Sequence, residues 1–319
     1  MKPKIVIISA FFQLFGLTAF AQTKNVYFLK FSGRLVNEMD SADYFRVISD
    51  PDSGSTVYNI NEYYKDKSKK LIGKTSKADG VVLEGQCVTF YPSGKKESVT
   101  NYQNGKRTGD EYTYYPNGKV DVHRRNIPGE NNSGDRTLIL DCRDSTGKVL
   151  VENGNGHYAG FDHDFKKIIE EGLVKDGLKD STWNGDVGDH GHFVEEYNNG
   201  VLKAGKFTDD DNKTYTYTVR EIQPQFPGGL QGFGQYLSTN IRYPYTAKLN
   251  RTQGKVIVTF VVERDGSLTD LKVVRSPSTT LSGEAVRVLE NSPAWIPGCQ
   301  YGRKVRVSYT VPINFTLNQ

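Results

Sequence analysis

The residues best able to do chemistry in this chain are few and loosely grouped. His163 lies between Asp162 and Asp164, Asp189 precedes His190-Gly191-His192, and His157 stands a little upstream. Imidazole and carboxylate together suit a zinc-type centre. Gly-rich flanks do not preform one, so surface-loop histidines are expected and no metal is assigned. Asp209-Asp210-Asp211 lacks the loop spacing and closing Glu of a calcium hand. The chain contains no HExxH, no GxSxG elbow, no P-loop and no GxGxxG between a strand and a helix. Cys87, Cys142 and Cys299 are far apart and fit no zinc pattern. One disulfide is open to an exported chain, while three separate thiols buried in strands is the simpler expectation. No catalytic residue, no cofactor and no enzyme activity are expected, which leaves recognition.

Recognition needs a positioned surface, and the last quarter of the chain carries the cleanest pattern for one. Val305, Val307, Tyr309, Val311, Ile313 and Phe315 alternate with Arg306, Ser308, Thr310, Pro312 and Asn314, the period of a strand with one buried face. Pro312 cannot donate to a ladder, which predicts an edge strand or a bulge. An edge offers unpaired backbone to another chain. Lys255–Glu263 is a β-branched run, Asp265-Gly266 a hairpin turn and Leu268–Val274 the returning strand. Leu281, Ala285, Val288 and Leu289 recur at helical spacing, with Asn291 and Pro293 where the helix should stop. With one helix ahead of the first strand, this predicts an α+β module of two helices and three strands.

The ordered set resembles the C-terminal domain of TonB, the periplasmic energy transducer, over roughly Ile222 to Leu317. The pieces that carry it are Tyr243-Pro244 with Ala247, Gly254-Lys255-Val256, Arg264-Asp265-Gly266, Trp295 with Pro297-Gly298, and Asn314-Phe315. Phe226-Pro227-Gly228-Gly229-Leu230 precedes them, as a similar segment does in one branch of the family. The resemblance implies a periplasmic domain that grips an extended segment of an outer-membrane receptor, or another envelope protein, by β-strand addition. It assigns partner contact to Tyr243, Pro244, Val305, Val307, Tyr309 and Val311, and it allows a homodimer through the same edge. The alternative is a cell-envelope scaffold with no transport role. Two features depart from a transducer, which needs an uncleaved inner-membrane helix and a long Pro-rich stalk. Here the prolines are scattered.

Upstream, the sequence repeats itself. Phe90-Tyr91-Pro92-Ser93-Gly94-Lys95 returns as Tyr114-Tyr115-Pro116-Asn117-Gly118-Lys119, 24 residues on, and Gly85 returns as Gly109. Tyr102-Gln103-Asn104-Gly105 is echoed by Tyr197-Asn198-Asn199-Gly200, with Lys175-Asp176-Gly177 and Trp183 as a further degenerate copy. Asn-Gly supplies the positive-φ positions of a tight hairpin. A lone hairpin is marginal, so the units must stack. They resemble MORN-type repeats and predict an antiparallel hairpin sheet with aromatic rows as its core. Asn126–Asp135 reads as a loop, Asp162–Glu171 as a short helix through Phe165, Ile168 and Ile169, and Gln223–Pro227 as an extended link.

Met1–Ala21 reads as a leader, with Lys2 and Lys4 before an apolar run and Ala19-Phe20-Ala21 fitting the small-x-small rule. Cleavage after Ala21 would leave a periplasmic protein. The other reading is an N-terminal inner-membrane anchor, the one case in which an inner-membrane motor becomes a partner. Without Lys2 and Lys4 the formal charge falls from +4 to +2, too small to imply nucleic acid or an acidic lipid surface. The expected organisation is a leader (1–21), a β-rich segment (22–80), the MORN-like repeats (81–218) and the TonB-like domain (219–319).

Overall fold

The structure, a computed structural model, describes residues 6–7, 24–129 and 134–317. Val6–Ile7 pair antiparallel with Val26 and Asn25. The rest of the expected leader, including its cleavage point at Ala21, lies outside the described residues. The chain divides into two compact units, Met1–Gly185 with Tyr197–Val201, and Asp186–Glu196 with Leu202–Gln319.

The first unit is a succession of antiparallel hairpins, as the repeats predict. Lys24–Leu29, Tyr44–Ser49, Tyr58–Tyr64, Lys69–Thr75, Leu83–Phe90, Lys96–Gln103, Lys106–Tyr114 and Val120–Ile127 each pair with the next. The same pairing continues from Arg136–Arg143 to Leu178–Asp186. Along one edge, Asn104-Gly105, Asn153-Gly154, Asp176-Gly177 and Asn199-Gly200 hold both residues at positive φ, the requirement of a two-residue turn whose twist matches its strands. Along the other edge the recurring tyrosines explain the repeat. Tyr64 donates its hydroxyl to the Phe90 carbonyl at 2.8 Å, Tyr91 to Tyr114 at 2.6 Å, and Tyr115 to Arg143 at 2.9 Å. Each tyrosine thus ties its turn to the next turn on that edge.

One buried cluster of this unit is Val122, Ile139, Cys142, Val151, Tyr158, Val174 and Trp183. The expected aromatic rows share this core with aliphatic side chains: Tyr158 stacks on Trp183 at 5.6 Å beside Val122, Ile139, Val151 and Val174. Tyr115 is buried against Phe165 even as its hydroxyl reaches the turn carbonyl. Asp162–Glu171 is not a helix. The Asp162 carboxylate accepts from the backbone N–H groups of Lys166 and Lys167 at 2.7 and 3.2 Å, and Phe165 turns at φ 56. The β-branched Ile168 and Ile169 then open the strand Ile168–Lys175. An aspartate that closes a turn on its own backbone competes with helix and prevails here. Asn126 and Ile127, expected in a loop, extend the strand Val120–Ile127.

In the second unit Gly254–Val262 is the central strand of a three-stranded sheet, flanked by Leu268–Arg275 and by Val307–Phe315. Val256, Val258, Phe260 and Val262 are all fully buried, one face of the central strand by period two. The helix Thr279–Glu290 covers that face with Leu281, Ala285, Val288 and Leu289, and Ser278 caps it by accepting from the Leu281 N–H. Two helices, Gly229–Asn240 and Tyr245–Leu249, precede the sheet rather than the single one expected. A second small sheet joins Glu221–Ile222, Gly298–Gln300 and Arg303–Val305. The unit also takes in most of the strands Gly191–Asn198 and Val201–Asp209, and all of Thr214–Tyr217. Phe193, Phe207 and Tyr217 are buried there around Tyr301, whose N–H donates to the Arg220 carbonyl at 2.7 Å.

Candidate partner-binding edge

The closing strand Val307–Phe315 pairs with Gly254–Val262 over nine residue pairs without a shift in register. Its other side has no partner strand among the described residues. Pro312 lies opposite Ile257 within this unbroken ladder, so its missing N–H must fall on the side facing away from the central strand. Backbone groups alternate sides along a strand. The N–H and C=O groups of Ser308 and Thr310 therefore point with Pro312 toward the free edge. Val311, Ile313 and Phe315 anchor the strand from beneath at 5 %, 0 % and 1 % exposure. At its start Arg306 holds Glu263 through two contacts of 2.7 Å. The guanidinium, then the Thr269 hydroxyl, keep the Glu263 carboxyl below its usual range.

Beside this edge is a cavity of about 360 Å³. Tyr309–Pro312 form one wall, Phe226 and Phe233 another, and Leu230 lies at 87 % exposure among its lining residues. Trp295, which also lines it, is 4 % exposed and packs edge-on to Phe226, Phe233 and Phe260 at 5.3–5.6 Å between centroids. Its indole N–H has no acceptor among the described residues. The extended link expected at Gln223–Pro227 is borne out at Gln225, which bridges to Ile296, and it carries Phe226 into this wall.

The structure separates the six residues expected to touch a partner. Val307, Tyr309 and Val311 are on the closing strand. Val305 is not: it pairs with Gly298 in the small second sheet, because the strand breaks at Arg306. Tyr243 donates to the Thr252 carbonyl at 2.5 Å and sits edge-on to Phe315. Pro244 caps the helix Tyr245–Leu249, its carbonyl accepting from Lys248. Both serve the fold. Phe226, Leu230, Phe233 and Trp295 were not singled out as site residues. A leucine just after Pro-Gly-Gly, four residues after Phe226 and three before Phe233, was the available signal.

The residues first weighed for chemistry do not converge. Among the described residues no group of three or more His, Cys, Asp or Glu is placed to hold a metal. His192 faces Asp186 at 3.0 Å, and the Asp209 carboxylate is taken up by the backbone of Asp211 and Lys213. The cysteines are free thiols, Cys87 and Cys142 buried and Cys299 half-buried. Among the described residues no helix is long and apolar enough to cross a membrane.

Comparison with known proteins falls on the same stretch. Residues 239–317 match the family described as Gram-negative bacterial TonB protein C-terminal. The chain ends in a TonB-type domain. Residues 83–104 and 107–123 match the MORN repeat variant, which covers the hairpins with the 24-residue period. Protein TonB of Helicobacter pylori strain ATCC 700392 / 26695 is 36% identical over 81 residues, and that of strain J99 is 36% identical over 80. These alignments take in 24% of this chain and only 28% and 29% of the relatives' own length. The likeness is therefore to the TonB-type domain, whose free edge has just been described.

Proposed function

We propose that this chain is an exported, non-enzymatic binding protein. Its TonB-type domain takes up an extended segment of an outer-membrane receptor, or of another envelope protein, as an added strand. The observation that carries the reading is the free side of Val307–Phe315, an edge whose Ser308 and Thr310 backbone groups face outward. Main-chain pairing along such an edge supplies affinity, and pockets for alternate side chains supply choice. Periplasmic residence follows if the leader is cut after Ala21. An uncut N-terminus would instead anchor the chain and bring the inner-membrane motor into reach. Mass spectrometry of the native N-terminus decides this: a soluble chain starting at Gln22 supports the unanchored binder, and an intact Met1 in the inner-membrane fraction rejects it.

One observation favours a second reading, an envelope scaffold. The segment leading into the domain is not a free tether. Arg220 stacks over Phe193 and Tyr301 at 4.7 and 5.7 Å and pairs with the fully buried Glu195. A deletion strain that keeps receptor-dependent uptake but loses envelope shape would favour the scaffold. Loss of uptake with normal shape would favour the receptor binder.

A further inference from the structure

We infer that the cavity beside the free edge is a specificity pocket for one bulky, uncharged apolar side chain. Its occupant is an extended neutral peptide segment of a partner protein. This inference rests on the strand-addition reading above. Four observations carry it. The backbone of Thr310 at the cavity wall faces the open edge, so whatever enters beside it can pair only if extended. Among the described residues no acidic or basic side chain lines the cavity, so a charge placed there would lose water without gaining a counter-ion. Leu230 stands 87 % exposed among the lining residues, an uncovered apolar surface of the kind that marks recognition sites when it adjoins a pocket. The Trp295 indole N–H is buried without an acceptor among the described residues, and a carbonyl brought in by a peptide is the missing chemistry.

A second copy of this chain fits poorly as the occupant. If two closing strands paired, the copy's side chains on the cavity side would be Tyr309, Val311 and Ile313. Val311 and Ile313 are committed to its own core at 5 % and 0 % exposure, and Tyr309 packs against its own Trp295 at 5.6 Å. None of them is free to fill a neighbour's cavity. The occupant must bring a side chain of its own.

The test uses the full chain, labelled with nitrogen-15, and three acetylated peptides of alternating serine and threonine. The peptides differ only at one central position, which is leucine, alanine or aspartate. The chain has two tryptophans; Trp183 donates to the Leu173 carbonyl, so its indole resonance is the internal control. The leucine peptide should bind about tenfold tighter than the other two, the gain from burying one such side chain, and should move the Trp295 indole resonance but not that of Trp183. Leu230→Glu, at an exposed position, should abolish the preference with an unchanged circular dichroism spectrum. Equal binding of the three peptides, with the Ser308 and Thr310 amides shifted, would overturn the pocket and leave strand addition standing. Binding of none would overturn both. Concentration-dependent shifts at Trp295 without peptide would name a second copy as the occupant and overturn the inference too.

Discussion

Single side chains here show how burial selects chemistry. Burial pushes the Cys87 and Cys142 thiols up to about 11, so at pH 8 only about a thousandth of either is thiolate. Alkylation of the folded chain at pH 8 should label Cys299 first, with Cys87 and Cys142 reacting only after denaturant is added. Equal labelling of all three would contradict their burial. The sign for stability follows from the same shift: below pH 9 both states hold the protons and the full stability is present. Between pH 9 and about 11 the unfolded thiols ionise first, and stability falls. A second test lies at Gly172. A Cβ there would stand 2.4 Å from the Trp183 indole, so Gly172→Ala should cost about 2 kcal/mol or more by overpacking, read as a lowered urea midpoint. At Glu195, fully buried and held by Arg220 and Tyr217, Arg220→Met would strand a buried carboxylate. About 3 kcal/mol should be lost. The same burial, with the Glu195 carboxylate beside it, pushes the Tyr217 phenol well above its usual range.

Among the elements, the closing strand carries the proposed strand addition, and its two sides respond differently to proline. Ser308 faces the free edge, so Ser308→Pro should leave stability within about 1 kcal/mol while removing a donor that an added strand needs. Val311 faces the central strand, and Val311→Pro should cost about 3 kcal/mol. Thermal unfolding and peptide titration of both variants separate the two effects. The pattern behind this strand was plain from its alternation and from Pro312, and the helix Thr279–Glu290 buries the four residues its spacing named. The Asn-Gly turns were legible for a similar reason, since few residues other than Asn, Asp and Gly accept positive φ at both positions. Elements set by long-range contact were not legible. The strand Ile168–Lys175 depends on a turn closed by Asp162 and on pairing with Asn155–Phe161, neither of which leaves a local period. Val305 continues the alternation perfectly, yet pairs with Gly298 in another sheet. Of the candidate site, the edge was readable from sequence and the cavity was not. The cavity's walls come from the link, a helix, Trp295 and the closing strand, which only the fold brings together.

At the scale of the whole molecule, the TonB-type domain is larger than the stretch that matches its relatives. The second unit takes in Phe193, Phe207 and Tyr217, packed around Tyr301 of the domain's own small-sheet turn. Tyr301 and Gly302 turn there at positive φ, and a Cβ at Gly302 would stand 2.6 Å from the Thr216 carbonyl. A fragment beginning at Val219 should therefore be less stable than one beginning at Asp186 by about 2–4 kcal/mol, the scale of uncovering a large aromatic cluster. Calorimetry of the two fragments checks this, and equal midpoints would contradict it. The measurement that bears most directly on the central claim is backbone amide exchange on the full chain, alone and with detergent-solubilised outer-membrane receptors. Strand addition predicts slowed exchange at Ser308 and Thr310, with Val307 and Val311 already protected by the central strand. Receptor binding that leaves the Ser308 and Thr310 amides exchanging at their free rate would contradict it.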